Sequence, residues 1–411
     1  MIIDDSIRQQ FEILEGSDVI YFDNSATTLK PKQVVKDNLD YYNKYCANSG
    51  RGSYPWANKV TKKIEETRKK VASFLNCNTD EVIFTSGATH ASNLVSYSYG
   101  LYNLNDGDEI MLCYTDHKST ILPWINIKEI LSGFGKNIVI KEIFADVQGD
   151  YKEQMLIDTV TDKTKIVILT HIHNVYGIEN NIEFLIEQIK EKNPLALVCL
   201  DASQSAGHIG IDVKTLNPDF LYFSGHKMFS STGVGVLYVK KDIQKIMRPF
   251  MIGGGFNKEE PVTDTLTDIK RSPNYFECGT LNIPAIISLG SAIDFIMGLD
   301  INEVSIRLFE LTRYLYEKLR LINEIEFDKG IDKCSCQLGF GIISFSVQGI
   351  SASELGDILA DYGIYVRTGR HCLAKSAEET IRVSLQIYNT TSEIDTFVET
   401  IKEIISQIKN K

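Results

Sequence analysis

An α/β fold built on a mainly parallel sheet, sandwiched by helices and followed by a smaller α+β region, is predicted by three features of this 411-residue chain. From about Tyr21 to Lys240, short β-rich runs alternate with helical stretches, the rhythm of strand–helix–strand units. A Gly-, Pro- and charge-rich stretch from Gly253 to Gly279 then interrupts that rhythm. After Ile283 the pattern changes to longer amphipathic helices with a few strands. A chain of this length exceeds the size at which one core usually stops growing. Two domains are expected: residues 15–285, and a smaller one from 1–14 with 286–411.

Strands are predicted at Val82–Thr85, Glu109–Tyr114, Lys165–Thr170, Ala196–Leu200, Phe220–Phe223 and Val234–Val239. Helices are predicted at Lys59–Leu75, where Val60, Ile64, Thr67 and Val71 share a face, and at Ile182–Lys190. The Gly253–Gly279 excursion has room for a hairpin. Farther on, GFGIISFSV, GIYVR and IRVSLQIY read as strands of the smaller domain. In the last helix Ile394, Phe397, Val398, Ile401, Ile404, Ile405 and Ile408 recur with helical period, and Thr391 or Ser392 is placed to cap it.

Composition narrows the function classes. The formal charge of −11 gives no general attraction for nucleic acid or an anionic membrane surface. No apolar run approaches a bilayer-spanning length. The opening MIIDDSIRQQFEILEGSD has early acids and no apolar secretory region. Eight cysteines are scattered without a disulfide framework. Cys113 and Cys199 lie in apolar runs and read as buried, while Cys334-Ser-Cys336 falls one residue short of the usual redox or metal spacing. No metal site is expected, and the cytoplasm is the expected compartment.

The chemical signal lies at the ends of the strands, where open parallel sheets bind ligands. VIFT runs into Ser86-Gly87-Ala88-Thr89 and a helix start, a natural phosphate seat. EIMLCY leads to Thr115-Asp116-His117, and IVILT to His171-Ile172-His173-Asn174. LALVCL ends at Asp201, with Gln204 and His208 beyond, and FLYF ends at Ser224-Gly225-His226-Lys227. Any one of these histidines is more often a satisfied core residue than a catalytic one. Their convergence at successive strand ends is harder to dismiss. A phosphorylated aldehyde cofactor needs a lysine for its Schiff base, and Lys227 is the lysine in polar company. It also needs an acid against its ring nitrogen, a role that fits Asp201. On the residues alone, Asp201 as a helix cap and Lys227 in an ordinary ion pair remain open.

SGHK followed by TGVGVLYVK, with DASQS and HNVYG, resembles the class V aminotransferases of fold type I, pyridoxal-phosphate (PLP) enzymes with a seven-stranded-type sheet. Within that class the chain is similar to the SUF-type, or NifS-like group II, cysteine desulfurases. YFDNSATTLKP, FTSGATHASNLV, TDHKSTILPW, YFECGTLN, RTGRHC and RVSLQIYNTTSEID also match, in order and along nearly the whole chain. The resemblance implies that Lys227 carries PLP and moves the Cα proton, that His117 stacks on the ring, and that Asp201 pairs with its nitrogen. Gln204 and Asn174 would face the ring hydroxyl. Ala88 (by its backbone), Thr89, Ser224 and His226 would hold the phosphate, and Thr280 would reach the phosphate of a second subunit, implying a homodimer. Arg382, with Arg367 and Asn174, would bind the substrate L-cysteine, and Cys372 would accept its sulfur as a persulfide. A small acceptor protein, serving iron–sulfur or other thio-cofactor synthesis, would then take the sulfur. Cys372 must react as a thiolate, which Arg367, Arg370 and His371 nearby would favour.

The chain also departs from that pattern. LAKSAEETI, between Cys372 and Arg382, is several residues shorter than expected. Gly50 and Tyr54 stand where histidines are expected, although Arg51-Gly52 remains, and Ser230-Ser231 replaces a Gly-Pro. A selenocysteine lyase or another class V lyase, epimerase or aminotransferase is the competing enzymatic reading. A PLP-binding scaffold without catalysis is the third.

Overall fold

The computed structural model describes residues 3–50, 52–146, 149–254, 273–327, 340–372 and 379–409. After a short β1 (Ile20–Tyr21), seven strands build one sheet: β2 (Val82–Thr85), β3 (Glu109–Leu112), β4 (Val139–Glu142), β5 (Thr164–Thr170), β6 (Leu197–Asp201), β7 (Phe220–Ser224) and β8 (Gly235–Val239). Their order is β2-β8-β7-β6-β5-β3-β4, with β8 antiparallel to both neighbours and every other pairing parallel. A four-stranded antiparallel sheet follows, from β9 (Ile325–Phe327), β10 (Ile342–Val347), β12 (Arg367–Gly369) and β13 (Thr380–Ser384) in the order β12-β13-β10-β9. Between them β11 (Ile364–Tyr365) pairs in parallel with β1.

All six strands expected before Lys240 form. β3 stops at Leu112 because Cys113 O accepts from Asp116 N and closes a turn. β4 escapes sequence reading: its four residues are all half-buried, so no apolar run marks it. Most of the Gly253–Gly279 excursion, and the Cys334–Cys336 pair, lie outside the described residues.

Alternation along the strands gives the sheet two cores. Val82, Phe84, Val167, Leu169, Val198, Leu200, Leu221 and Phe223 face one, which the helices Pro55–Leu75, Ile182–Lys192 and Ile283–Leu299 cover. Ile83, Ile166, Ile168, Cys199, Phe220 and Tyr222 face the other, covered by Ala88–Val95 and Lys118–Gly133. A third apolar cluster joins Phe345, Ile381 and Val383 of the small sheet to Leu355, Phe397 and Ile401 of its helices. The last helix spans Thr391–Lys409. Thr390, not Thr391 or Ser392, caps it: its Oγ1 accepts from Glu393 N, and Glu393 returns the bond to Thr390 N, a capping box. Among the described residues no single helix is long and apolar enough to cross a membrane.

Strand direction positions the site. β2, β3, β5, β6 and β7 run the same way, so Thr85, Leu112, Thr170, Asp201 and Ser224 finish at one edge of the sheet. The β2 ending depends on glycine twice. Gly87 (φ +152°) precedes the helix in a conformation that side chains disfavour, and a Cβ on Gly235 would lie 2.6 Å from Gly87 Cα.

Two buried acids support this frame. Glu277 takes both terminal nitrogens of Arg68 at 2.8 Å and accepts from Phe84 N at 2.6 Å, while Arg68 also bonds Val82 O. Together they fasten β2 from outside the sheet. Glu277→Ala leaves the buried guanidinium with only the exposed Glu65, 3.6 Å from its Nε, as a charged partner and is expected to cost about 3 kcal/mol, read as a lowered urea midpoint. Asp116 is also buried; it accepts from Tyr151 Oη at 2.7 Å, and that Oη accepts from Thr170 N at the end of β5. Burial, opposed by the Tyr151 bond, pushes its carboxyl up to about 7. Because the folded chain holds this proton to higher pH than the unfolded chain, the contribution to stability is lost as pH rises from about 4 towards 7. Buried histidines held low, such as His173 and His208, act in the opposite sense, so the test compares variant with wild type. Asp116→Asn should gain thermal stability relative to wild type between about pH 4 and about pH 7; a constant difference would remove the assigned cause.

Candidate active site

A cavity of about 360 Å³ opens where the strand ends meet the small sheet. Ala88, Thr89, His117, Asn174, Asp201, Gln204, Ser224, His226, Lys227, Arg367, Cys372 and Arg382 all line it. Of the site residues predicted from sequence, only Thr280 is elsewhere. It accepts from Asn48 Nδ2 at 3.3 Å and borders a separate cavity with Ser86 and His90.

Lys227 ends a short 3₁₀ turn, Gly225–Lys227, that follows β7. That turn is pinned through His226 O, which accepts from Thr28 N at 3.0 Å and Lys30 Nζ at 2.8 Å. Beyond it, Ser230 Oγ meets Ser288 Oγ at 3.0 Å and Ser231 accepts from Asn38, so the two serines tie this loop to neighbouring helices. Burial holds the Lys227 amine down to about 8, with Asp201 opposing and Arg382 assisting. Asp201 is locked in place: Oδ2 accepts from Thr120 Oγ1 at 2.7 Å and Oδ1 from Ser203 N at 2.9 Å. His117 caps the Lys118–Gly133 helix, its Nδ1 accepting from Ser119 N. Burial and Lys227 hold that ring down to about 4, so it is neutral at pH 7 with its proton on Nε2.

At the phosphate-type seat, the Ala88 amide already donates to Ser224 Oγ at 2.8 Å. Arg382, on β13, is buried; its Nη1 donates to Asn174 O at 2.8 Å. Arg367 donates from Nε and Nη2 to Asp23, at 3.0 and 2.8 Å.

Cys372 is exposed, and its backbone sits in the left-handed region (φ +61°), as does that of His371 (φ +48°). Lys118 N donates to Cys372 O at 3.0 Å, Asn174 Nδ2 to His371 O at 3.1 Å, and His371 Nε2 meets Thr380 Oγ1 at 3.0 Å. One expectation about the thiol changes. His371 does not bring a positive charge, because burial and Arg382 hold it down to about 3. Gly50 and Tyr54 do not line the cavity, and residues 373–378 of the shortened loop and Arg51 are outside the described residues.

Several buried polar atoms around the cavity have no hydrogen-bond partner among the described residues: Ser25 Oγ, Thr170 Oγ1, Asn174 Oδ1, Ser203 Oγ, Gln204 Oε1 and Arg382 Nε. Buried polar atoms rarely stay unpaired. Clustered here, they fit a ligand with a polar ring and a carboxylate. Sequence reading had given no role to Ser25, Thr170 or Ser203, nor to Asp23. Ser25 and Asp23 sit in the DNSATT string, which was the available signal.

The class-V aminotransferase family model matches residues 20–397. A Borreliella burgdorferi protein named "Probable cysteine desulfurase" is 34% identical across 98% of this chain and 96% of its own length. One of the same name from Ureaplasma parvum is 35% identical across 94% of each. Among solved structures, the apo cysteine desulfurase of Thermococcus onnurineus NA1 matches with a TM-score of 0.90 at 31% identity, covering 99% of both chains. Cysteine desulfurase CsdA of Escherichia coli matches at 0.88 and 27%, covering 99% of this chain and 100% of its own. The sheet is therefore that of the fold type I enzymes, and the chain belongs to the class-V aminotransferase family and, within it, to the cysteine desulfurases.

Proposed function

We propose that this chain is a SUF-type, PLP-dependent cysteine desulfurase that converts L-cysteine to L-alanine and receives the sulfur on Cys372. The observation that carries the reading is that an amine, a thiol and a half-paired guanidinium, from Lys227, Cys372 and Arg382, line one cavity although Lys227 lies far along the chain from the other two.

Bound PLP would supply an electron sink beside the substrate Cα. The residues present suit it. Lys227 would hold it covalently, with Asp201 against the ring nitrogen, His117 on the ring face, and Asn174 and Gln204 at its hydroxyl. Thr89, Ser224, His226 and the Ala88 backbone would take the phosphate, and Thr280 would reach the phosphate held by a second copy of the chain in a homodimer. Arg382 offers its Nε–Nη2 edge to the substrate carboxylate, a planar match for two oxygens. An amine held down to about 8 is in part neutral at physiological pH, so Lys227 is suited to take the Cα proton. The neutral His117 keeps its proton at Nε2, where it would donate a hydrogen bond into the cavity. Cys372 Sγ, as thiolate, attacks the substrate sulfur; an S–S bond forms and the C–S bond breaks, its electron pair staying with the carbon skeleton. Protonation of that skeleton then gives alanine. An acceptor thiol, which we place on a small partner protein of iron–sulfur or thio-cofactor synthesis, attacks the persulfide and restores Cys372.

Cys372→Ala should keep the cofactor's visible absorption while alanine formation from cysteine falls by about 100-fold or more. Undiminished turnover would end the sulfur-transfer reading, and retained turnover of selenocysteine alone would favour a lyase. Lys227→Ala should leave no cofactor trapped on the chain by borohydride. In the wild-type apo chain, the rate of that trapping should rise through about pH 8, where the amine loses its proton.

A further inference from the structure

The cleft brings two arginines together, and one of them is already occupied. β12 pairs with β13 so that Arg367 stands directly opposite Arg382. Like charges in that arrangement repel. Asp23 relieves the repulsion unevenly. It takes the Nε and Nη2 of Arg367 at 3.0 and 2.8 Å, whereas Arg382 Nη2 is 3.6 Å from its Oδ1. The backbone fixes this choice. Ser384 N donates to Phe22 O at 2.7 Å, and Ser25 N donates to Ser384 Oγ at 2.9 Å, which lays the Asp23 segment along β13 two residues past Arg382. Arg382 Nη1 is held by Asn174 O, and its buried Nε has no partner among the described residues. Two cations and one anion therefore leave one positive charge, presented on a single edge of Arg382.

We propose that Asp23 is a specificity-determining positioning residue: by engaging Arg367 it leaves the cleft one guanidinium edge, suited to amino acids with one carboxylate and unfavourable to those with a second acid in the side chain. The proposal rests on the reading of Arg382 as the partner of the substrate carboxylate. A purely structural Asp23, bracing the N-terminal segment against β12 and β13, would affect both ligand classes alike.

The test is calorimetric titration of the PLP-loaded enzyme with L-alanine and with L-aspartate, for wild type, Asp23→Asn, Arg367→Gln and the double variant. Wild type should bind alanine more tightly than aspartate. Asp23→Asn frees Arg367 and should shift the affinity ratio towards aspartate by about tenfold or more. The double variant restores a single positive charge and should return the ratio to within about twofold of wild type. Arg367→Gln alone lets Asp23 turn to Arg382 and should weaken alanine by about tenfold. Equal weakening of both ligands in Asp23→Asn, or a double variant that keeps the shifted ratio, overturns the proposal. If Asp23→Asn does not fold, Arg367→Gln decides, and unchanged alanine affinity counts against it. Alanine release from cysteine by the wild type is assayed in parallel. Its absence would end the desulfurase reading but would leave the ligand ratios to judge Asp23.

Discussion

Three cationic side chains, Lys227, Arg367 and Arg382, border one cavity in which Asp201 is the buried anion, with Asp23 set against the arginines. Most of the site's chemistry follows from that imbalance. Buried positive charge without a matching anion is costly. The chain relieves the cost by lowering proton affinities: Lys227 is held down to about 8 and Arg382 to about 10, burial being the main cause for both. His117, His226 and His371 are pushed the same way and are neutral at pH 7. They can orient neighbours by hydrogen bonds without adding to the repulsion. What remains is an unspent positive charge at Arg382 on one side, and neutral polar groups at the His226–Ser224 corner on the other.

The sheet supplies the geometry that makes such crowding sustainable. Parallel strands deliver their last residues to one edge, each already braced by a neighbour: Asp201 by Thr120 and Ser203, Thr170 N by Tyr151, the Ala88 amide by Ser224. This is why so much was legible in the sequence. An apolar run that ends in His, Asp or Lys identifies both the strand and the residue at its tip, and all the polar strand endings proposed from sequence reach the cavity. Where the signal was weaker, the reading was poorer. β4 has half-buried residues and no run, and Thr390 caps its helix through a bond that only a folded turn reveals. The charge state of His371 depends on burial beside Arg382, eleven positions along the chain. The opposition of Arg367 and Arg382 depends on strand register across a loop whose composition says nothing of pairing. Asp23 lies in a matched string, but its partners are more than three hundred residues away.

The thiol shows how these constraints meet. Two consecutive non-glycine residues in the left-handed region cost on the order of 1–3 kcal/mol each and persist only where neighbours over-determine them. Here the neighbours are site residues. Lys118 N, beside His117, holds Cys372 O; Asn174, whose own carbonyl receives Arg382, holds His371 O. The bond from Lys118 belongs to the helix that starts the His117 cap, and the Asn174 bond to the loop that follows β5. The small sheet thus contributes the cysteine, but the large sheet sets its backbone. Losing either bond would release the strained pair and move the sulfur with it. The Cys372 thiol is thus carried on a strained backbone that two bonds from the large-sheet side of the cavity hold in place.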